Sequence, residues 1–311
     1  MAIQGSLAPN ITLFDRDGRV DSKRTRWHME WLFEHGVDGL FLTGSYGAGP
    51  LLSIEERVSV FALAKEAASR FPGKILIPHV GCIDAGQAVE LARAAEKIGV
   101  DAVAAAPPFF YKHTDEAVIE YYRSIMEAVN VPVFAYNHPE ATRYTFNLAT
   151  VRRLQELGLA GLKDSSLSLG FATQVTYAAQ EAGSDFQFIP GTATGWLPLC
   201  HMGVKAVIAG SNNWAPEIIA ELLRATFADE RDRARKAYLV MMDLSSKLHF
   251  IDSTVASHMA LYARGFDAGF PRKPMILPGF EDPKYVEIRS WLEKGFADLA
   301  LPFQTGAFSP R

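Results

Sequence analysis

Short, almost uninterrupted apolar runs recur along this chain, separated by stretches in which apolar positions return every three or four residues. The runs cover residues 6–13, 39–43, 75–80, 102–106, 131–136, 160–163, 186–189 and 206–209. They lack the polar alternation of a sheet with one wet face, which marks strands covered on both sides in a parallel sheet. The intervening residues 23–35, 54–70, 85–98, 115–128, 148–157 and 169–181 carry helical periodicity. Ser53-Ile54-Glu55-Glu56 predicts a capping box: the serine oxygen accepts a helix-start N–H while Glu56 reaches back. Asp84, Thr114 and Asn147 are further N-cap candidates. Eight strands with crossover helices predict an α/β fold, a closed (β/α)8 TIM barrel over residues 1–220, in preference to an open doubly wound sheet. After Asn213 the pattern is helical to about Arg264, so residues 221–311 are expected to form additional C-terminal helices packed on the barrel. No tandem repeat or low-complexity segment interrupts this plan.

Composition narrows the class without changing the fold. The chain has 311 residues, 49% hydrophobic and 21% charged, enough for a large core. A net charge of −4 with no basic–aromatic stripe argues against nucleic acid as a partner. The apolar runs are far too short to span a membrane, so none is expected as a partner. The start Met1-Ala2-Ile3-Gln4-Gly5 lacks a basic segment followed by an apolar one, so no secretory signal is expected. Cys82 and Cys200 are the only cysteines and give neither a disulfide framework nor a zinc pattern, which fits a reducing cytoplasm.

In a barrel, reacting groups gather at the carboxyl ends of the strands. Lys163, in Gly161-Leu162-Lys163-Asp164-Ser165-Ser166, stands at such an end. Burial there disfavours the ammonium, and a neutral amine attacks ketones to form a Schiff base. After the second strand, Thr43-Gly44-Ser45-Tyr46-Gly47-Ala48-Gly49-Pro50 offers backbone N–H groups and a hydroxyl to a small carboxylate. It has neither the GxGxxG spacing nor the Gly-Lys-Ser/Thr of a nucleotide loop. Tyr136 ends the fifth strand, where a phenol near a Schiff-base lysine can move protons. Small residues follow the seventh and eighth strands, in Pro190-Gly191-Thr192-Ala193-Thr194-Gly195 and Ala209-Gly210-Ser211-Asn212-Asn213. His79 and His138 are read as structural, since the histidines are dispersed without metal-ligand spacing.

This order of motifs resembles the N-acetylneuraminate lyase / dihydrodipicolinate synthase family of class I aldolases, over roughly residues 5–300. Gly44-Ser45-Tyr46-Gly47 is similar to the family's Gly-Thr-Thr-Gly pyruvate-carboxylate loop. Tyr136-Asn137-His138-Pro139 is similar to its Tyr-Asn-x-Pro motif, and Gly161-Leu162-Lys163-Asp164-Ser165 to its Gly-x-Lys-Asp/Glu-Ser/Thr motif. The resemblance implies a Schiff base between Lys163 and a 2-keto acid such as pyruvate, with Tyr136 as the proton-transfer group. It implies no metal or organic cofactor, since the imine supplies the electrophile, and a homotetramer.

The departures bear on the subgroup. The synthase branch has an arginine where this chain has Ala141, the nearest arginine being Arg143. It has a second relay tyrosine where this chain has Phe110, with Tyr111 adjacent. Gly47-Ala48-Gly49-Pro50 and Tyr136-Asn137-His138-Pro139-Glu140-Ala141-Thr142 are closer to 2-keto-3-deoxygluconate aldolases. The resemblance therefore implies cleavage of a 2-keto-3-deoxy sugar acid to pyruvate and an aldehyde. Ser45, Tyr46, Gly44 and Gly47 are expected to hold the carboxylate. Thr142, Ser165, Gly191, Thr192, Ile208 and Ser211 are expected to line the rest of the substrate site. The alternatives are a dehydratase on the same scaffold, a dihydrodipicolinate synthase, and a non-catalytic 2-keto-acid-binding homologue.

Overall fold

The computed structural model describes residues 2–307. Eight short strands run through it: β1 Gly5–Ala8, β2 Gly39–Leu42, β3 Ile75–Pro78, β4 Val103–Ala105, β5 Val133–Asn137, β6 Gly161–Asp164, β7 Gln187–Pro190 and β8 Ala206–Ile208. All pair in parallel, in the orders β3-β2-β1-β8 and β4-β5-β6-β7. A parallel bridge from His79 to Ala104 joins β3 to β4, and β7 lies beside β8, so the two sheets close into a barrel. The helices are α1 Ser22–Glu34, α2 Ile54–Ala68, α3 Ala85–Ile98, α4 Asp115–Met126, α5 Pro139–Thr142, α6 Leu148–Glu156, α7 Leu169–Glu181, α8 Trp196–Cys200, α9 Pro216–Phe227, α10 Arg231–Leu248, α11 Ser253–Ala263 and α12 Lys284–Asp298.

Strand alternation sorts the core into two layers. Leu7, Phe41, Ile77, Ala104, Phe134 and Ile208 point inward and fill the barrel. Leu40, Leu76, Val103, Val133, Leu162 and Val207 point outward and pack in the core shared with the helices. The expected caps form. Ser53 and Glu56 make the reciprocal capping box, and Asp84, Thr114 and Asn147 each accept a helix-start N–H.

The first strand is shorter than the apolar run 6–13 predicts, ending at Ala8. Pro9 has no N–H to extend the ladder, and side chains take over the next polar groups. Asn213 donates to the Pro9 carbonyl at 3.1 Å and accepts the Ile11 N–H at 3.0 Å, while Thr12 donates to the Gly47 carbonyl at 2.8 Å. Ile208, expected at the substrate site, lies instead in the inner barrel core, because alternation turns its side chain into the barrel below the strand ends.

Beyond β8 the chain is helical, as expected, through α9, α10, α11 and α12. The boundary expected at residue 220 falls within α9, which packs against β1. Residues 308–311 of the expected extension lie outside the described part. Arg264, fully buried, ties this region together. It pairs with Glu217, donates to the Trp214 and Gln304 carbonyls, and is surrounded by the rings of Trp31, Phe266, Phe296 and Phe303. Among the described residues no helix is long and apolar enough to cross a membrane.

Candidate active site

Parallel pairing of β5 with β6 sets Tyr136 opposite Lys163. Both are inward positions, so one register brings the phenol and the amine into the barrel mouth together. Lys163 is 3% exposed, and its Nζ stands 3.7 Å from the Tyr136 ring centroid and 3.9 Å from that of Phe41. Among the described residues no carboxylate forms an ion pair with it. Its neighbour Asp164 points the other way, accepting from Asn137 Nδ2 at 2.6 Å and from Ser166 Oγ at 2.9 Å. Burial without a counter-charge pushes the Lys163 pKa well below the usual lysine value, which favours the free amine. The aromatic faces do attract an ammonium, but that attraction is small beside the loss of hydration.

Tyr136 is also buried, and burial raises its pKa to about 12 against the opposing effect of hydrogen bonds from Ser45 and Ser165. The Ser45 and Tyr136 hydroxyl oxygens are 3.3 Å apart. His79 packs edge-on to the Tyr136 ring and accepts the Ala106 N–H through Nε2 at 3.0 Å. Burial and the nearby Arg57 guanidinium hold it neutral, well below the ordinary histidine pKa. It packs behind Tyr136 and does not line the cavity. His138 differs: it lines the cavity, tilts against the Tyr136 ring, and has a buried Nδ1 with no partner among the described residues.

The Gly44–Gly47 turn is wound tightly. Thr43 and Ala48 adopt positive φ, of 48° and 54°, and a Cβ at Gly47 would stand 2.8 Å from Thr43 backbone atoms. At Gly44 a Cβ would press on the Phe41 ring, which holds Lys163, at 2.8 Å. The N–H groups of Ser45 and Tyr46 have no hydrogen-bond partner among the described residues, and with the Ser45 hydroxyl they offer donors to an anion. Tyr46 leans across Gly210, where a Cβ would meet its hydroxyl oxygen at 2.2 Å.

These groups open into a cavity of about 570 Å³. Of the candidate residues, Lys163, Tyr136, Ser45, Tyr46, Ser165, Gly191, Thr192 and Ser211 line it. Seven other candidates do not: Ile208, already placed in the barrel core, Gly44 and Gly47, which wind the turn behind Ser45 and Tyr46, and Thr142, Arg143, Phe110 and Tyr111. Thr142 is buried beneath the β5 loop and donates its hydroxyl to the His138 and Tyr144 carbonyls, which makes it a brace for that loop. Arg143 is an exposed residue with positive φ ending α5. Phe110 and Tyr111 are 70% and 63% exposed and pack on each other outside the cavity, so within this chain Tyr111 does not replace a relay tyrosine. The cavity also has a roof that the motifs do not announce. Met242, Ser245, Ser246 and His249 of α10 and its C-cap, with Ser253 and Ala256 of α11, cover it. Among the described residues no group of three or more His, Cys, Asp or Glu side chains is placed to hold a metal ion.

A (β/α)8 barrel with a buried lysine at the end of its sixth strand, facing a tyrosine on its fifth, thus defines the protein's class. The chain belongs to the dihydrodipicolinate synthetase family, whose model matches residues 2–292, and it is a lyase of that family. It is 32% identical to an uncharacterised DapA-like lyase of Halobacterium salinarum, over 97% of this chain and 95% of the relative. It is 30% identical to the 2-dehydro-3-deoxy-D-gluconate/2-dehydro-3-deoxy-phosphogluconate aldolase of Thermoproteus tenax, over 94% and 90% of the two chains. The fold matches that of YagE from Escherichia coli K12, solved in complex with pyruvate, with a TM-score of 0.88 at 22% identity over 97% and 100% of the chains.

Proposed function

We propose that the protein cleaves a 2-keto-3-deoxy sugar acid to pyruvate and an aldehyde through an imine on Lys163. The observation that carries this is the placement of an unpaired, buried Nζ 3.7 Å from the Tyr136 ring centroid at the floor of an open cavity. The names of the Thermoproteus tenax aldolase and of the pyruvate-bound YagE structure agree with it.

The steps follow from the groups present. The substrate carboxylate sits against the Ser45 and Tyr46 N–H groups, and the Lys163 amine adds to the C2 ketone. Tyr136 gives its proton to the departing hydroxyl, which leaves as water. A phenolate then stands beside an iminium cation, which stabilises a charge that a phenol of pKa about 12 does not carry alone. The phenolate takes the C4 hydroxyl proton, the C3–C4 bond breaks, and its electrons pass into the iminium to give an enamine and the aldehyde. Tyr136 returns the proton to C3. Water then adds to C2 and gives a proton to the Tyr136 phenolate, and the carbinolamine collapses to pyruvate and the free amine.

The test is mass spectrometry with peptide mapping after pyruvate and borohydride, followed by a panel of sugar acids scored for free pyruvate. An adduct on Lys163 with pyruvate release supports the aldolase. An adduct without pyruvate release, with loss of water from the substrate, points to a dehydratase instead. No adduct on folded protein rules out the imine. The same reading expects a homotetramer, which light scattering in solution tests.

A further inference from the structure

The cavity has two chemically distinct ends. Its floor carries Lys163 and the N–H groups of the Ser45 turn, which suit a keto acid. Its distal half has no arginine, no second lysine, no aspartate and no glutamate among its lining residues. It is built instead from hydroxyls, apolar groups and the imidazole of His249. Met242, Ser245, Ser246 and His249 recur at helical spacing along α10, and so form one face of that helix turned on the cavity.

The cations of α10 and the β5 loop do not line the cavity. Lys247, on the same helix, does not line the cavity and pairs with Asp243 at 2.6 Å. Arg143, beside the β5 loop, is exposed away from it. The start of α11 also faces this end through Ser253, but the carboxylate of its N-cap Asp252 occupies that helix end. The Asp252 carboxylate accepts from Thr254 N at 2.8 Å and from Val255 N at 3.4 Å. A second anion there would be repelled by that carboxylate. A phosphate or carboxylate brought here loses hydration and finds no arginine or second lysine of this chain to offset it, whereas a hydroxyl finds both donors and acceptors in the serines.

We infer that the distal half of the cavity selects an uncharged, hydroxyl-bearing aldehyde and rejects one ending in phosphate or carboxylate, and that the α10 face carries this selection. The inference rests on the aldolase reading of the site. It separates this chain from an enzyme that takes sugar acid and phosphorylated sugar acid alike.

The test couples two readouts on the full chain at pH 8, where an ordinary histidine is neutral. Borohydride trapping of pyruvate on Lys163 reports the imine. Condensation of pyruvate with glyceraldehyde, glyceraldehyde 3-phosphate and succinic semialdehyde then reports the distal end, in the wild type and in Ser246→Arg. Ser246 is exposed on the helix surface, so the arginine can extend over the cavity without entering the core. The expected wild-type kcat/KM favours glyceraldehyde over either anion by about tenfold or more, and Ser246→Arg narrows the phosphate gap by about tenfold. With the adduct present, equal use of the three aldehydes, a preference for an anion, or use of none overturns the selection. An unchanged gap in folded Ser246→Arg overturns the assignment to α10. Absence of the adduct instead removes the aldolase reading, and the inference falls with it.

Discussion

Tyr136 and Lys163 are register partners across β5 and β6, and the lysine Nζ rests 3.7 Å from the centre of the tyrosine ring. A one-residue slip of that pairing would turn one of the two side chains out of the barrel. The pair is held by the packing around it. Gly161, two residues before Lys163, leaves room for the Phe134 ring, where a Cβ would stand 2.4 Å from a ring carbon. Phe41 from β2 closes the other side of the amine.

The buried amine ties activity to stability. The unfolded lysine keeps its ordinary pKa while the folded one lies well below it, so between the two values the unfolded chain binds one more proton. Stability conferred by this site therefore rises with pH across that window, with a slope approaching about 1.4 kcal/mol per pH unit, and levels off near the ordinary lysine value. Lys163→Met is expected to abolish turnover and to raise Tm at pH 7. The gain over the wild type should shrink as pH approaches that of an ordinary lysine. Melting curves of both proteins from pH 6 to 10 check this, and a lower Tm for the variant at pH 7 contradicts a neutral buried amine.

Tyr136→Phe keeps the ring against which Lys163 packs and removes only the hydroxyl. It is expected to lower kcat by about 10²–10⁴-fold while the fold is retained. Ser45→Ala removes a hydrogen bond that lowers the Tyr136 pKa, so that pKa should rise. The alkaline limb of kcat, where Tyr136 ionisation sets it, should shift upward in Ser45→Ala. An alkaline limb that moves down would reverse the role given to Ser45.

Much of this site was legible because its chemistry sits in short segments at strand ends. Lys163, Tyr136 and the Ser45 turn could be read from an apolar run followed by a polar or glycine-rich turn, and strand alternation then fixed their facing. Thr142 and Ile208 show the limit of that logic. Both lie close in sequence to a strand end, but Thr142 spends its hydroxyl on backbone carbonyls and Ile208 faces the barrel core. Phe110 and Tyr111 likewise lie in the loop after a strand and turn away from the cavity. The roof was hidden for another reason. Ser245 and Ser246 look like ordinary positions on a surface helix until tertiary packing lays that helix over the barrel mouth.

Gly210 and Tyr46 make a clean steric test of the carboxylate turn. A methyl at residue 210 would stand 2.2 Å from the Tyr46 hydroxyl oxygen and ring, so the ring must move. Because Tyr46 lies on the turn proposed to hold the substrate carboxylate, Gly210→Ala should disturb binding more than folding. The expected result is a severalfold or larger rise in KM for the keto acid, with a stability loss of about 1–3 kcal/mol. Steady-state kinetics beside a denaturant titration separate the two effects. An unchanged KM would place the ring's movement away from the carboxylate.

Arg264 tests the join between the barrel and its C-terminal helices. Its guanidinium is fully buried, paired with Glu217 of α9 at 2.7 Å, and hydrogen-bonded to the Trp214 and Gln304 carbonyls. Removing it leaves a carboxylate and two carbonyls short of donors inside an aromatic cage. Arg264→Met is therefore expected to cost about 3–5 kcal/mol, far more than Arg231→Met, whose pair with Asp229 is exposed on the surface. The double variant Arg264→Met with Glu217→Gln should recover part of the loss, because the uncompensated charge is gone while the packing defect stays. Denaturant unfolding of the three proteins decides the point. If the double variant is no more stable than Arg264→Met, the loss comes from the ring contacts and not from the stranded carboxylate.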